Sequence, residues 1–249
     1  DYDGTLTPIV SRPEDAHFPE KTRELLRSLA RHRLFLVGVI SGRALSDLKQ
    51  RVGIGGIIYA GNHGLEIEGP GISLVNPLAE EMRPVFHLMH QVLSKALSTV
   101  RGVIVEDKGL TLSVHYRMVP DDSSDQVKSI FERVVATARS LGRVRVTSGK
   151  KVYEIRPAVD WDKGKAIALL LDRYGRRKAT EELLAVFMGD DLTDEDGFKV
   201  VNSQEGISIF VGEEPQSSAA QYYLKSPLEV EGFLSMLLSS KVVSHESVA

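Results

Sequence analysis

Short uncharged runs alternate with amphipathic helical segments near both ends of this chain. Uncharged runs of apolar residues and glycine cover residues 34–40, 57–60, 183–189 and 206–212. Runs of this kind are typical of strands that are buried on both faces, which occur in parallel sheets covered by helices. Helical spacing of leucine and valine follows or precedes them at residues 19–33, 44–52, 162–175 and 227–240. The alternation predicts an α/β fold with a parallel sheet.

The middle of the chain has a different pattern. Helical spacing over residues 79–98 is followed by two alternating runs within residues 103–117, and the same order recurs over 124–138 and 143–157. Each pair of alternating runs encloses a turn with glycine, the second at Ser148–Gly149, which predicts a β-hairpin. We therefore expect a core domain made of residues 1–76 and 157–249, with a small α+β domain of residues 77–156 inserted into it.

The composition excludes several classes of function. The chain has 249 residues, a formal net charge of −3 and no cysteine. A slightly acidic balance argues against nucleic acid as a partner, and the lack of cysteine excludes disulfides and thiolate catalysis. No apolar run approaches the roughly 20 residues of a membrane span, and no signal peptide is visible. These features predict a cytoplasmic protein that binds neither nucleic acid nor membrane.

Two acidic clusters carry the strongest chemical signal. The chain opens with DYDGTLTP, in which Asp1 and Asp3 project from the same side of an extended backbone. The segment GDDLTDED begins at Gly189, and its first two aspartates, Asp190 and Asp191, directly end a buried strand. Taken alone, either cluster is also compatible with an ordinary acidic turn or helix start. Several oxygen ligands without cysteine or histidine favour Mg²⁺.

Two further segments are candidates for binding an anion. Ser41-Gly42-Arg43 follows one strand and opens a helix, where backbone N–H groups and the helix dipole favour negative charge. Lys163 lies at a helix start, where the helix dipole disfavours a cation. A phosphate or an acid close by would offset this cost. A helix cap at Ser41 and a surface lysine at 163 remain the alternatives.

These motifs, in this order, resemble those of the haloacid dehalogenase (HAD) superfamily of phosphatases. The segments DYDGTLTPI, GNHGLEI, EDKGLTLSVHYR, GKKVYEIRP and GDDLTDED narrow the resemblance to the trehalose-6-phosphate phosphatase family. The resemblance implies a Rossmann-like parallel sheet with an inserted α+β cap domain of the C2 type. Two departures stand out: Asp162 takes a position where the family often has asparagine, and this sequence begins at the aspartate that the family places after a hydrophobic strand.

The resemblance also implies roles for individual residues. Asp1 is the expected nucleophile, which forms an aspartyl-phosphate, and Asp3 the expected general acid and base. The expected ligands of Mg²⁺ are Asp1, the carbonyl of Asp3, Asp190 and Asp191, with Asp194 behind them and able to orient Lys163. The phosphate is expected to contact Gly4, Thr5, Ser41, Gly42 and Lys163. The sugar of trehalose 6-phosphate is expected to contact Arg43, Asn62, His63, Lys108, Arg117, Lys151 and Glu154.

Several alternatives stay open at this point. Arg117 and Glu154 lie on predicted hairpin strands, where cross-strand ion pairs are common, and His63 fits a turn equally well. The substrate is alternatively another sugar phosphate, such as sucrose 6-phosphate or mannosyl-3-phosphoglycerate. A phosphotransferase, a mutase and a non-catalytic domain of a synthase-phosphatase fusion remain compatible with the motifs. The chain is equally compatible with a monomer and with part of a larger fusion.

Overall fold

The computed structural model describes residues 1–149, 151–175, 183–214 and 217–239. The contacts divide the chain into two compact units, and the chain passes between them more than once. The first unit comprises Asp1–Ile40, Lys49–Tyr59 and Lys163–Ala249, and the second comprises Ser41–Leu48 and Ala60–Asp162. The expected inserted segment, residues 77–156, lies entirely within the second unit, which also includes residues on either side of it. No helix of the described residues combines the length and apolar character that crossing a membrane requires.

The described residues form helices and strands in the following order. The helices are α1 (Glu20–Arg31), α2 (Leu45–Val52), α3 (Pro77–Glu81), α4 (Arg83–Leu97), α5 (Ser124–Ser140), α6 (Lys163–Gly175), α7 (Glu195–Ser203) and α8 (Pro227–Ser239). The strands are β1 (Gly38–Ile40), β2 (Ile58–Gly61), β3 (Glu66–Gly69), β4 (Ile72–Val75), β5 (Ile104–Asp107), β6 (Leu112–His115), β7 (Val144–Gly149), β8 (Val152–Pro157), β9 (Val186–Gly189), β10 (Ile207–Val211) and β11 (Tyr222–Leu224).

Parallel strands and helices build the first unit, as the alternation of apolar runs and helices predicts. Strands β9, β10 and β11 pair in parallel in the order β11–β10–β9. Helix α7 connects β9 to β10, and its buried Phe198 packs against Phe187 of β9 with ring centroids 5.5 Å apart. The amino nitrogen of Asp1 donates to the carbonyl of Met188 at 2.7 Å, so the opening of the chain runs beside β9. This arrangement brings Asp1 to the end of β9, which Asp190 directly follows.

The predicted strand over residues 34–40 is correct only in its second half. Strand β1 begins at Gly38, and the side chains of Leu34 and Leu36 are each 43% exposed rather than buried on both faces. The N–H of Phe35 donates to the carbonyl of His32, which uses this part of the backbone in a turn. An uncharged run is buried on both faces only where neighbouring elements cover both faces.

The second unit has the predicted helix–hairpin–helix–hairpin order. Its sheet is antiparallel with strand order β5–β6–β8–β7. Helices α4 and α5 cover one face, and the core between them and the sheet includes the fully buried Phe86, Leu93, Phe131 and Ile155. Because side chains alternate along a strand, the strand residues on either side of a core residue such as Ile155 point to the opposite face of the sheet. That opposite face carries the charged side chains described below.

Two local predictions for the second unit need correction, and one hairpin was missed. The helix predicted from residue 79 is two helices, because Asn76 caps α3 and Pro84 lies in the first turn of a new helix, α4. Strand β7 continues through Gly149, so the second hairpin does not turn at Ser148–Gly149. The antiparallel hairpin of β3 and β4 was not predicted, since two strands of four residues with one buried side chain each give almost no periodic signal.

Phe131→Ala is expected to lower the free energy of unfolding by about 3–5 kcal/mol, because it removes a fully buried ring and leaves a cavity. The ring of Phe131 is 0% exposed and stacks on Tyr153 with ring centroids 4.5 Å apart. Urea unfolding followed by circular dichroism measures the change. The matched control is Leu88→Ala on α4, whose side chain is 60% exposed, with an expected change within about 0.5 kcal/mol. Equal losses in the two variants would contradict this description of the core.

Candidate active site

The opening residues of the chain form a tight loop. The N–H groups of Leu6 and Thr7 both donate to the carbonyl of Tyr2 at 3.0 Å, and the N–H of Gly4 donates to the carbonyl of Thr7 at 2.8 Å. Tyr2 is fully buried and stacks on Phe18. Because side chains alternate along extended backbone, the carboxylates of Asp1 and Asp3 lie on the side opposite to the ring of Tyr2.

A group of three carboxylates lies at the end of β9. Asp1, Asp190 and Asp194 each have a carboxylate oxygen within 4.8 Å of the others. The hydroxyl of the buried Thr5 donates to Asp190 Oδ1 at 3.4 Å. Burial, together with the charges of Asp191 and Asp194, raises the pKa of Asp190 to about 7. Burial is the larger cause of this rise and the neighbouring carboxylates add to it, so a carboxylate at this position is costly to ionise.

Lys163 supplies a positive charge inside this group. The Lys163 side chain is 3% exposed, and its ammonium donates to Asp1 Oδ1 and to Asp194 Oδ1, both at 2.7 Å. The other oxygen of Asp194 accepts the backbone N–H groups of Asp190 at 3.1 Å and Asp191 at 3.2 Å. Both oxygens of Asp194 are therefore engaged, and this residue ties Lys163 to the loop after β9. The cation at the helix start, unusual in the sequence, lies between two carboxylates.

Two glycines allow the acidic side chains to approach the backbone closely. A Cβ on Gly4, which has φ +88°, would lie 2.1 Å from Asp190 Oδ2. A Cβ on Gly189 would lie 2.2 Å from Asp194 Cγ. Both distances are far below van der Waals contact, so any other residue would displace a carboxylate of the group. Gly4 was a candidate from the sequence, whereas Gly189 was missed, although it directly precedes the acidic segment.

The donor set of this group fits Mg²⁺. Its ligands are oxygen atoms of aspartates, with no sulfur or imidazole among them, which is the chemistry that Mg²⁺ prefers. A bound cation would also relieve the repulsion that raises the pKa of Asp190. The carboxylate of Asp191 lies outside the group of three, is exposed, and accepts both the N–H and the hydroxyl of Thr193 through Oδ1. The side chain of Asp3 is likewise outside the group.

In the second unit, Ser41-Gly42-Arg43 contacts the loop that follows β2. The N–H of Asn62 donates to the carbonyl of Arg43 at 2.7 Å, and the N–H of His63 donates to the carbonyl of Ser41 at 2.8 Å. Asn62 and His63 have φ angles of 49° and 57°, the left-handed region that few residues other than glycine adopt. The hydroxyl oxygen of the buried Ser41 accepts the N–H of Arg43 at 3.1 Å. Two adjacent strained residues indicate that this loop is held in shape by its contacts.

Glu154 of β8 is the centre of a polar cluster in the second unit. Its Oε1 lies 3.0 Å from His63 Nε2 and 3.5 Å from Lys108 Nζ, while its Oε2 accepts from Arg156. Burial would raise the pKa of Glu154, but His63, Lys108 and Arg156 together hold it well below its ordinary value. Asn62 joins this cluster because its side-chain amide donates to the carbonyl of Lys108 at 3.0 Å. Glu154 is therefore a carboxylate held in its ionised form.

The side chains of four of the residues predicted to contact a sugar meet in one cluster, and the side chains of the other three have different partners or surroundings. Asn62, His63, Lys108 and Glu154 form the cluster around Glu154. Buried Arg43 is bound to Asp47 at 2.9 Å. Lys151 pairs with the exposed Asp121 at 2.8 Å, and Arg117 is exposed beyond the end of β6.

Sequence reasoning missed two polar side chains that bind members of this cluster, Thr111 and Arg156, and the nearby Glu106. Thr111 donates to Asn62 Oδ1 at 2.6 Å, Arg156 binds Glu154, and Glu106 accepts from His115 at 2.8 Å on the neighbouring strands. The role of Arg156 could have been predicted from the sequence, because it lies two residues from Glu154 on a predicted strand and shares its face. The role of Thr111 could not have been predicted, because its contact with Asn62 depends on a loop that is far away in sequence.

Comparisons with known proteins identify the family of the chain. The family model described as trehalose-phosphatase matches residues 1–228. A rice (Oryza sativa subsp. japonica) protein named probable trehalose-phosphate phosphatase 3 is 36% identical over 258 residues, which cover 97% of this chain and 69% of that protein. These matches confirm the family resemblance found in the motifs.

Solved structures give the same result for the fold. The C-terminal domain of a trehalose-6-phosphate phosphatase from C. albicans superimposes with a TM-score of 0.77 at 25% identity, covering 95% of this chain and 90% of that one. A haloacid dehalogenase-like hydrolase from Bacteroides thetaiotaomicron has a TM-score of 0.64 at 16% identity, over 95% of this chain and 97% of that one. The chain belongs to the trehalose-phosphatase family of HAD-fold phosphatases.

Proposed function

We propose that this phosphatase hydrolyses trehalose 6-phosphate with Mg²⁺, through an aspartyl-phosphate formed on Asp1. The observation that carries the proposal is the buried ammonium of Lys163, which lies 2.7 Å from both Asp1 and Asp194 at the edge of the carboxylate group. A carboxylate that is fixed on one oxygen by a buried cation is held in a single orientation for attack. The family match supports the substrate.

In the proposed first step, an oxygen of Asp1 attacks phosphorus while the bond from phosphorus to the sugar oxygen breaks. Asp3 gives its proton to the departing sugar oxygen. In the second step Asp3 takes a proton from water, which attacks the phosphorus and releases Asp1. Lys163, already bound to Asp1, offers positive charge to the phosphoryl oxygens. The phosphate contacts expected for Gly4, Thr5, Ser41 and Gly42 belong to the same proposal.

The residues that would hold Mg²⁺ are Asp1 and Asp190, together with the backbone carbonyl of Asp3. Asp194 is engaged on both oxygens and instead positions Lys163. Asp191, bound to Thr193, would contribute through a water molecule rather than directly. When bound, Mg²⁺ lowers the repulsion between the carboxylate of Asp1 and the phosphate dianion.

Sugar recognition is proposed to reside in the second unit. The cluster around Glu154 offers hydrogen-bond donors and acceptors from Asn62, His63, Lys108 and Glu154. The hydroxyl groups of a disaccharide need such partners once they leave water. Arg43, Arg117 and Lys151 remain predicted contacts from the family resemblance. A cytoplasmic location also remains a prediction from the composition.

Phosphate release from trehalose 6-phosphate should depend on Mg²⁺ and should be abolished by a chelator and restored by added Mg²⁺. A parallel assay with sucrose 6-phosphate and glucose 6-phosphate tests the sugar. We expect a preference of about a hundredfold or more in kcat/KM for trehalose 6-phosphate, because buried polar groups are left unpaired by the wrong sugar. Equal rates with all three sugars would contradict the proposed substrate, and full activity in chelator would contradict the proposed cation.

Asp1→Asn should reduce turnover to the background of the assay, because an amide oxygen is too weak a nucleophile to displace the sugar. Binding of inorganic phosphate, measured by calorimetry with Mg²⁺ present, should persist, because Lys163 remains to bind the phosphate and Asp190 remains to hold Mg²⁺. Acid quench of the wild-type enzyme with labelled substrate should trap phosphate on the protein, and Asp1→Asn should trap none. A variant that turns over near the normal rate would exclude Asp1 as the nucleophile.

Gly4→Ala should lower kcat by about a hundredfold, since its Cβ would lie 2.1 Å from the Asp190 carboxylate and displace it. The matched control is Gly55→Ala, where an added Cβ meets no atom within 4 Å and activity should stay unchanged. Circular dichroism must show both variants folded. A Gly4→Ala enzyme as active as Gly55→Ala would show that the close approach to Asp190 is not needed.

A further inference from the structure

The two oxygens of the Glu154 carboxylate have different partners. Oε1 lies near His63 and Lys108, two of the residues proposed to contact the sugar. Oε2 instead accepts from two nitrogens of one guanidinium, Arg156 Nε at 2.7 Å and Nη2 at 2.5 Å. Arg156 thus binds the carboxylate from the side opposite to the predicted sugar contacts. One oxygen is anchored, and the other is presented to the cluster.

The strand explains why Arg156 takes this position. Glu154 and Arg156 are two residues apart on β8, and the fully buried Ile155 between them points into the core. Both charged side chains therefore stand on the polar face of the sheet. Arg156 lies directly opposite Arg145 of β7 in the register, where two like charges repel. The pairing with Glu154 relieves this repulsion.

The contact is shielded from water. The side chains of Glu154 and Arg156 are 13% and 19% exposed, and that of Lys108 is 10% exposed. Two nitrogens of one guanidinium hold Oε2 from two directions, which a lysine ammonium does not reproduce because it acts as a single point of charge. Without Arg156, Glu154 would be free to rotate and to use both oxygens on Lys108 and His63.

We infer that Arg156 is a positioning residue for sugar recognition: it anchors Oε2 of Glu154 so that Oε1, Lys108 and His63 face the sugar hydroxyls in one fixed arrangement. This inference rests on the proposed function of the chain as a trehalose 6-phosphate phosphatase. Arg156 itself makes no contact with the reacting atoms. Its effect is on the binding of the sugar and not on the chemical step.

The test compares Arg156→Lys with wild type on two substrates. Trehalose 6-phosphate needs the sugar contacts, whereas p-nitrophenyl phosphate has no sugar hydroxyl groups. We expect KM for trehalose 6-phosphate to rise about tenfold with kcat changed by less than about threefold, and kcat/KM for p-nitrophenyl phosphate to stay within about twofold of wild type. The matched control is Arg145→Lys, a change of the exposed arginine opposite Arg156 that should leave both substrates unaffected.

A double-mutant cycle with Glu154→Gln separates positioning from a structural role. If Arg156 acts through Glu154, Arg156→Lys should have little further effect on KM in the Glu154→Gln background. An unchanged KM in Arg156→Lys, an equal loss on both substrates, or an undiminished effect in the Glu154→Gln background would each overturn the inference while wild type stays active. A folded wild-type protein that releases phosphate from p-nitrophenyl phosphate but not from trehalose 6-phosphate would contradict the proposed function, and the inference with it.

Discussion

The buried ion pairs of Lys163 hold the candidate catalytic group together. One ammonium at the start of α6 binds Asp1 at the opening of the chain and Asp194 just before α7. A buried charge is costly unless its partners are close and well oriented, and removing one partner leaves the others uncompensated. Three segments that are remote in sequence are therefore fixed relative to one another. The positions of Asp190 and of the opening loop follow from that arrangement.

Close packing of glycine backbone against carboxylates concentrates charge at the same place. Gly4 and Gly189 leave room for Asp190 and Asp194, and burial together with the charges of Asp191 and Asp194 raises the pKa of Asp190. A site of this kind is energetically unfavourable as an isolated cluster, and the proposed cation would compensate its negative charge. The cluster around Glu154 in the second unit differs, because two cations, Lys108 and Arg156, surround one carboxylate and the cluster is rich in hydrogen-bond donors; it is the part of the chain proposed to meet the hydroxyl groups of the sugar.

Most of the fold could be predicted, because helices such as α1 and α5 and buried strands such as β9 and β10 have strong periodicity or uniform apolar character. Most of the errors fall on elements without that signal. Strand β11 is three residues long and largely exposed, and β3 and β4 bury one side chain each. Leu34 and Leu36 look buried in the sequence but are exposed, because burial depends on what packs against a segment.

The sequence by itself determined the chemical groups, their order and the elements that carry them: the paired aspartates of the opening, the lysine at a helix start, the acids after a strand and the inserted α+β segment. Only the tertiary structure decided which atoms meet. It joined Lys163 to Asp1 across 162 positions of the chain, placed Asp194 rather than Asp191 beside them, and divided the oxygens of Glu154 between Arg156 and the sugar-contact candidates. The reason is physical: local pattern reports burial and periodicity, whereas contacts between charges depend on distances of a few ångströms that only packing sets.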